Sequence, residues 1–420
     1  MKRFTTFSCA LAVLLLGACA DQTRRYEPYA PAPATATLPT VPAPVYGQLT
    51  PAFPVAPVNQ SDLLSMQQPQ GQITRVGILV PQSGPNAAIG TALLQAAQLA
   101  VFDLNEKSFQ LVPADTQGTP QGTAAAIQSA AANGVKLILG PLFASEVTAA
   151  KQAAASYNLP IIAFSTDWRL VGDNVYSLGV LPFGQAERIA DYAGRQGVRR
   201  VGIIATRDMY GDAVVGAFEQ AAAAHGMTIV KTARVNADGG DAMQAVQSMT
   251  GGRALAADRM PYDALFIPLG GTALTSTVNG LKQYGVTTGQ VKFLGTGLWD
   301  DASVLGNPLM AGAIYAAPSP QLRTTFERNY QRIYGSTPPR LASIGYDAAA
   351  LAIVLARNAA SRGTPAVFDR AAITDPNGFA GVDGIFRFNQ NGLAERGMAI
   401  LQIQGGSVHQ AEPAPATFQK

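Results

Sequence analysis

Beyond residue 72 the chain alternates short apolar runs with longer stretches in which apolar positions recur every three to four residues. This rhythm predicts strands and helices in strict succession. Arg75-Val-Gly-Ile-Leu-Val80 is an apolar run closed by Pro81 and reads as a strand, and residues 87–104 form an Ala/Leu-rich segment long enough to return along a sheet as a helix. The pattern repeats as strand 109–113, helix 121–133, strand 136–139, helix 145–157 and strand 160–164. A β-α-β-α series of this kind predicts a parallel sheet with right-handed crossovers and helices on both faces. After Tyr176-Ser-Leu-Gly-Val180 and a break at Pro182 a second series begins: helix 185–196, strand 201–205, helix 212–225, strands 228–234 and 264–268, helix 274–284 and strand 291–295. Two doubly wound units of that size exceed one core, so the fold class is α/β with two parallel-sheet lobes.

The last third reads differently. Residues 321–334 and 344–357 have helical spacing, and 381–388 and 397–404 read as strands flanking an Asn389-Gln-Asn-Gly392 turn. A helical pair followed by a hairpin suits a chain that returns to the first lobe and crosses back. The expected division is lobe one over 72–181 and 318–373, lobe two over 182–317 and 374–405, and a flexible tail over 406–420.

The first 71 residues break the rhythm. Lys2 and Arg3 precede an apolar run from Phe4 to Leu16 that is too short to span a bilayer stably and reads as a secretion signal. It closes on Leu16-Gly17-Ala18-Cys19, which resembles the lipobox of bacterial lipoproteins. That resemblance implies cleavage after residue 18 and a diacylglycerol on the Cys19 thiol. Several acyl chains on one residue anchor more firmly than one, since each buried methylene adds ~0.8 kcal/mol. Under the sorting rule of that class, Ala20 after the lipidated Cys favours the outer membrane. Residues 20–71 then hold ten of the chain's 28 prolines and show neither periodicity, so they read as a disordered linker. As extended polyproline II such a segment reaches roughly 160 Å, and as a free coil roughly 40 Å.

Composition narrows the chemistry. Of 420 residues 48% are hydrophobic and 14% charged, and loss of Lys2 and Arg3 with the leader takes the formal charge from +3 to +1. Nothing here implies a nucleic-acid partner, which needs a clustered basic face. Cys9 leaves with the signal and Cys19 carries lipid, so neither disulfide nor thiol chemistry remains. Only His225 and His409 offer imidazole, which argues against a His-based metal site or a Ser-His-Asp triad. Gly84 and Gly90 are not followed by Gly-Lys-Ser/Thr, so no nucleotide is expected, and no cofactor of any kind.

The segment from Gly77 to Gly90, then Asp115-Thr-Gln-Gly118, Gly140-Pro-Leu142, Pro160-Ile-Ile-Ala-Phe-Ser165 and Asp208-Met-Tyr-Gly211 resemble, in order and spacing, the type I periplasmic binding proteins of the Leu/Ile/Val-binding class. The resemblance covers residues 72–404 and implies a hinge and an interlobe cleft. Within that class, Gly140-Pro-Leu-Phe-Ala-Ser-Glu-Val147 and Arg195-Gln-Gly-Val-Arg-Arg200 are most similar to penicillin-binding-protein activators, outer-membrane lipoproteins that stimulate a peptidoglycan synthase. Those activators carry a helical-repeat domain where this chain has its Pro-rich linker. The resemblance implies a non-enzymatic binding protein whose partner is a peptidoglycan synthase or, alternatively, an ABC permease supplied with branched-chain or other amino acids.

Ligands of open parallel sheets bind beyond the carboxyl ends of the strands. Those ends carry Gln82, Ser83, Leu142, Ser145, Ser165 and Thr166 in lobe one, with Tyr210, Gly270, Gly271, Trp299 and Asp300 in lobe two. Short hydroxyl residues beside helix-start amides suit a carboxylate. Related amino-acid binders seat a carboxylate at positions resembling Ser145, Ser165 and Thr166, and Asp300 has the charge to answer an amine. Ser145 before Glu146 equally fits a plain helix cap, Ser165-Thr166-Asp167 a turn, Tyr210 a structural aromatic, Trp299 a lid or lobe-packing side chain, and Gly270-Gly271 a close backbone approach.

Overall fold

The computed structural model describes residues 73–254, 256 and 259–418. The leader, Cys19 and the linker lie outside them. Lobe one opens with β1 (Thr74–Val80), α1 (Ala87–Leu104), β2 (Phe109–Asp115), α2 (Pro120–Ala132), β3 (Ile138–Leu139), α3 (Ala144–Ala155), β4 (Ile161–Ala163) and β5 (Val175–Ser177). Its five strands run parallel in the order β2-β1-β3-β4-β5. Apart from the edge strand β2, the strands are buried on both faces, which explains why they read as continuous apolar runs. Local chemistry sets the boundaries: α1 ends at Asn105, left-handed at φ 47° with its N–H on the Val101 carbonyl, and α2 starts where Thr119 accepts the Gly122 N–H ahead of Pro120.

Lobe two contains α4 (Pro182–Arg195), β6 (Arg200–Thr206), α5 (Met209–Ala224), β7 (Thr228–Val235), α6 (Ala242–Thr250), β8 (Ala264–Phe266), α7 (Gly271–Gln283), β9 (Lys292–Thr296), the short α8 (Ala302–Leu305) and β10 (Ile314–Ala317). Pro182, expected as a break, is the first residue of α4, where its missing N–H costs nothing. The chain then returns to lobe one with α9 (Pro320–Tyr334) and α10 (Ala342–Ser361), followed by the single-turn α11 (Arg370–Ile373). Phe326 and Tyr330 of α9 pack on Ala92, Ala96 and Leu99 of α1, and Ala348, Leu351 and Ala352 of α10 enter the core of Ile78, Leu93 and Ala97.

The end of the chain corrects the sequence reading in three places. First, the Asn389–Gly392 turn joins β12 (Gly384–Phe388) to β13 (Ala394–Arg396), and with β11 (Phe379–Gly381) these make a small antiparallel sheet. The expected partner, β14 (Ala399–Gln404), instead pairs antiparallel with β10 in the lobe-two sheet. Second, Phe386, Phe388 and Ala394 are buried with Ile162, Tyr176 and Leu178, so this stretch belongs to lobe one rather than lobe two. Third, the expected tail contains β15 (Ser407–Glu412), the edge of a seven-stranded sheet ordered β15-β14-β10-β9-β8-β6-β7. Glu412 holds that edge to α4 through Arg188 at 2.7 Å and Arg195 at 3.0 Å. The backbone therefore crosses between lobes three times, near residues 178–182, 317–320 and 396–399.

Candidate functional site

Between the lobes lies a cleft of about 920 Å³, within the usual size range for small-molecule sites. It sits where the carboxyl ends of β4, β6 and β9 give way to loops and helix starts. Lobe one contributes Phe143, Ala144, Phe164 and Trp168, lobe two Met209 and Leu298, and the returning segment Leu341, just before α10, and Ile344 within it. These make a mainly apolar wall. Trp168 meets Phe183 of α4 edge-on at 5.0 Å, and Arg169 Nη1 lies 3.5 Å from Met209 Sδ, so the lobes also touch at one rim.

Of the residues singled out in the sequence, Leu142, Ser165, Thr166 and Tyr210 line this cleft together. Ser165 is buried; its Oγ accepts the Asp167 N–H at 3.2 Å and its carbonyl accepts Ser177 Oγ at 2.7 Å. Thr166 is exposed. The Tyr210 hydroxyl lies 3.1 Å from Thr296 Oγ1, and burial pushes its pKa up to about 12, so it stays a neutral hydrogen-bonding group. Asp208 caps this helix, accepting the Gly211 N–H at 2.8 Å, which fixes where Tyr210 enters the cleft.

The others lie elsewhere. Ser83 donates to Asp115 Oδ2 at 2.6 Å, and Asp115 also accepts the N–H groups of Gln82 and Gln117, each at 2.8 Å. Burial raises the Asp115 pKa, but the hydrogen bonds from Ser83, Gln117 and Gln82 outweigh it and hold the group below the usual carboxylate range. Ser83 thus secures a loop pair. Ser145 is exposed on α3, away from the lining; the fully buried Glu146 reaches back to accept the Phe143 N–H at 3.0 Å, so Phe143 and Ala144 face the cleft. Gly270 precedes α7 beneath Leu298. Trp299 is a correction: it is 0% exposed, lies on Gly295 and donates its indole N–H to the Leu269 carbonyl at 3.1 Å, which makes it a lobe-two core residue. Asp300 also stays off the lining, paired with Arg340.

The sequence reading missed Gln185, Arg340, Ser343 and Asp383, all of which line the cleft. Gln185 is buried on α4 and accepts the Gly297 N–H at 2.6 Å, which fixes the loop after β9. Ser343 donates to Asp383 Oδ2 at 2.6 Å, and Asp383 faces Arg323 at 3.4 Å. Gln185 carries a local signal, a polar residue inside the apolar stripe of a helix. The other three come from the returning segment, where no motif marks them. Among the described residues no group of three or more His, Cys, Asp or Glu is placed to hold a metal ion.

The sequence profile described as periplasmic binding protein matches residues 74–407. An uncharacterised protein of Rickettsia prowazekii is 29% identical over 138 residues, which are 32% of this chain and 36% of that relative's length. The fold is similar to a Rhodospirillum rubrum protein assigned to branched-chain amino acid ABC transport, with TM-score 0.69 and 19% identity over 80% of this chain and 99% of the other. It is also similar to a Rhodopseudomonas palustris solute-binding protein of an ABC transporter solved with 3,4-dihydroxybenzoic acid, with TM-score 0.57 and 20% identity over 81% and 96%. The profile match covers the lobe-one sheet, the lobe-two sheet up to its edge strand β15, all three crossings and the cleft between the lobes. The chain belongs to the periplasmic binding protein family and has its type I fold.

Proposed function

We propose that the chain is a periplasmic, non-enzymatic receptor that takes up a small carboxylate with an apolar or aromatic body and presents it to an ABC permease. One observation carries this reading: an interlobe cleft whose wall is Phe143, Phe164, Trp168, Leu298 and Ile344, interrupted by few polar groups. Such a wall favours burial of an apolar body, at about 25 cal/mol per Å² removed from water, while hydroxyls such as Ser165 and Thr166 orient the rest. The dihydroxybenzoate-bound relative and the branched-chain amino acid assignment of the other support the same ligand chemistry. The test is a thermal shift with benzoate, 3,4-dihydroxybenzoate and leucine. Ligand at one hundred times Kd stabilises by about 2.7 kcal/mol, which raises Tm by several degrees. A flat response to all three would overturn the receptor reading.

A second reading is favoured by the Pro-rich stretch between Cys19 and β1: a lipid-held outer-membrane activator that reaches a peptidoglycan synthase across the periplasm. It makes a separate prediction. Halving residues 20–71 lowers the effective concentration at the partner and reduces synthase stimulation while Tm stays unchanged, and Cys19→Ala moves the protein from the membrane to the soluble fraction. Undiminished stimulation by the shortened chain would sink this reading.

A further inference from the structure

Among the described residues, the one Lys or Arg lining the cleft is Arg340, set at the entry to α10 directly after Pro338 and Pro339. The acids on the same wall are engaged within their own lobe: Asp167 with Arg169 at 2.6 Å, and Asp383 with Ser343 and Arg323. Arg340 is held differently. Its Nη1 pairs with Asp300 Oδ2, and Asp300 belongs to lobe two, directly after the turn that buries Trp299. This ion pair bridges the lobes.

The two ends of the bridge are unequal. The Asp300 side chain is 13% exposed and keeps a second contact in its own lobe, the Tyr315 hydroxyl 3.4 Å from Oδ1. The Arg340 side chain is 47% exposed. Its backbone is fixed, because the Arg340 carbonyl accepts from Arg323 Nη2, so its side chain is the part free to swing. A guanidinium presents five N–H donors in a planar fork matched to a carboxylate, and the bond to Asp300 uses one nitrogen. A carboxylate entering the cleft meets a cation with donors to spare and a counter-ion that stays anchored after release.

We propose that Arg340 is the charge partner of the ligand's carboxylate, and that Asp300 is the surrogate anion that holds the guanidinium across the cleft until the ligand displaces it. The assignment rests on the receptor reading and narrows it. It turns the carboxylate toward the α10 wall, leaves the apolar body against Phe143, Phe164 and Trp168, and discriminates against neutral isosteres, which cannot replace Asp300. Binding then exchanges a lobe-to-lobe tie for a lobe-to-ligand tie.

Calorimetric titration of the full-length protein with benzoate, leucine, benzamide and leucinamide tests this, with Tm of each variant as the folding control. Arg340→Gln should weaken both acids roughly ten- to a hundredfold, the range for a charge-assisted hydrogen bond, and leave the amides unchanged. Asp300→Asn, which removes the competitor, should tighten both acids severalfold. Because Arg340→Gln strands the Asp300 charge, the double variant Arg340→Gln/Asp300→Asn repeats the measurement with neither charge present, and it too should bind acids weakly. If both Arg340 variants bind benzoate as tightly as the wild type, the anchor assignment is overturned and the receptor reading stands. If neither the wild type nor Asp300→Asn responds to any of the four compounds, both fall.

Discussion

Replacing Arg396 with methionine is expected to remove about 3–5 kcal/mol, a large part of the 5–15 kcal/mol that holds a typical domain folded. The Arg396 side chain is 1% exposed and its partner Asp347 on α10 is 0% exposed, with Nη1 to Oδ2 at 2.9 Å. Asp347 also accepts the Val382 N–H at 2.6 Å, Arg396 donates to the Leu178 carbonyl at 3.3 Å, and its guanidinium lies 5.0 Å from the Phe386 ring centre. Leu178 opens the first crossing between lobes and Arg396 precedes the third, so this buried pair ties two crossings to α10. Gly381 makes room for it, since a Cβ there would lie 2.7 Å from the Asp347 carboxylate.

Removing the cation strands a carboxylate in the core. Burial already pushes the Asp347 pKa up against the pull of Arg396, and without Arg396 the Val382 N–H is left as the one group drawing it down. A carboxyl whose folded pKa lies above its unfolded value of about 3.9 contributes stability below that value and loses it as pH rises through the folded pKa. Arg396→Met should therefore be more stable at pH 5 than at pH 8. The double variant Arg396→Met/Asp347→Leu, with no buried charge left, should recover most of the loss. Urea denaturation decides the matter: a single variant within 1 kcal/mol of wild type would mean that the pair is not what secures the crossings.

How far the sequence carried the fold follows from the same distinction between local and distant contacts. The helix expected over 87–104 is α1 with the same bounds, because its Ala/Leu face and the Asn105 stop are written locally. α6 was missed because the run after Arg234 is rich in Asp and Gly, and β10 because Ile314-Tyr-Ala-Ala317 is four residues long and takes its strand identity from β9 and β14 beside it. The hairpin error has the same source. Asn389–Gly392 announces a turn, but nothing local says that β13 ends after three residues and that β14 belongs to another sheet. At the cleft, residues at strand ends such as Ser165 could be found from sequence. Arg340, Ser343 and Asp383 could not, since they reach the cleft only after the chain has returned to lobe one. Trp299 misled because an aromatic beside an acid suggests a ligand platform; the informative residue was Gly295, whose absent side chain is the space the indole fills.

Gly211→Ala should destabilise by about 3 kcal/mol, at the upper end of what overpacking costs, and should lower Tm by roughly 5–10 °C. A Cβ at Gly211 would lie 2.0 Å from the Thr206 carbonyl oxygen, and the same arrangement recurs at Gly90, 1.8 Å from the Pro81 carbonyl, and at Gly122, 2.2 Å from the Thr116 carbonyl. In each case a helix begins so tightly after its strand that its first turn rests on the strand's last carbonyls. Backbone cannot step aside as a flexible side chain can, so the helix must move, and with α5 goes Tyr210, whose hydroxyl is held 3.1 Å from Thr296 at the cleft. Ligand affinity should fall along with stability. Gly216 supplies the control on the same helix: a Cβ there meets nothing within 4 Å, and Gly216→Ala should stabilise by about 0.5–1 kcal/mol through helix propensity. The opposite signs are the test, because helix propensity alone would make both substitutions favourable, and only the carbonyl beneath Gly211 separates them. Equal Tm shifts for the two variants would show that the strand-to-helix turns have slack enough to absorb a methyl group, and that glycine there is not required by the close approach.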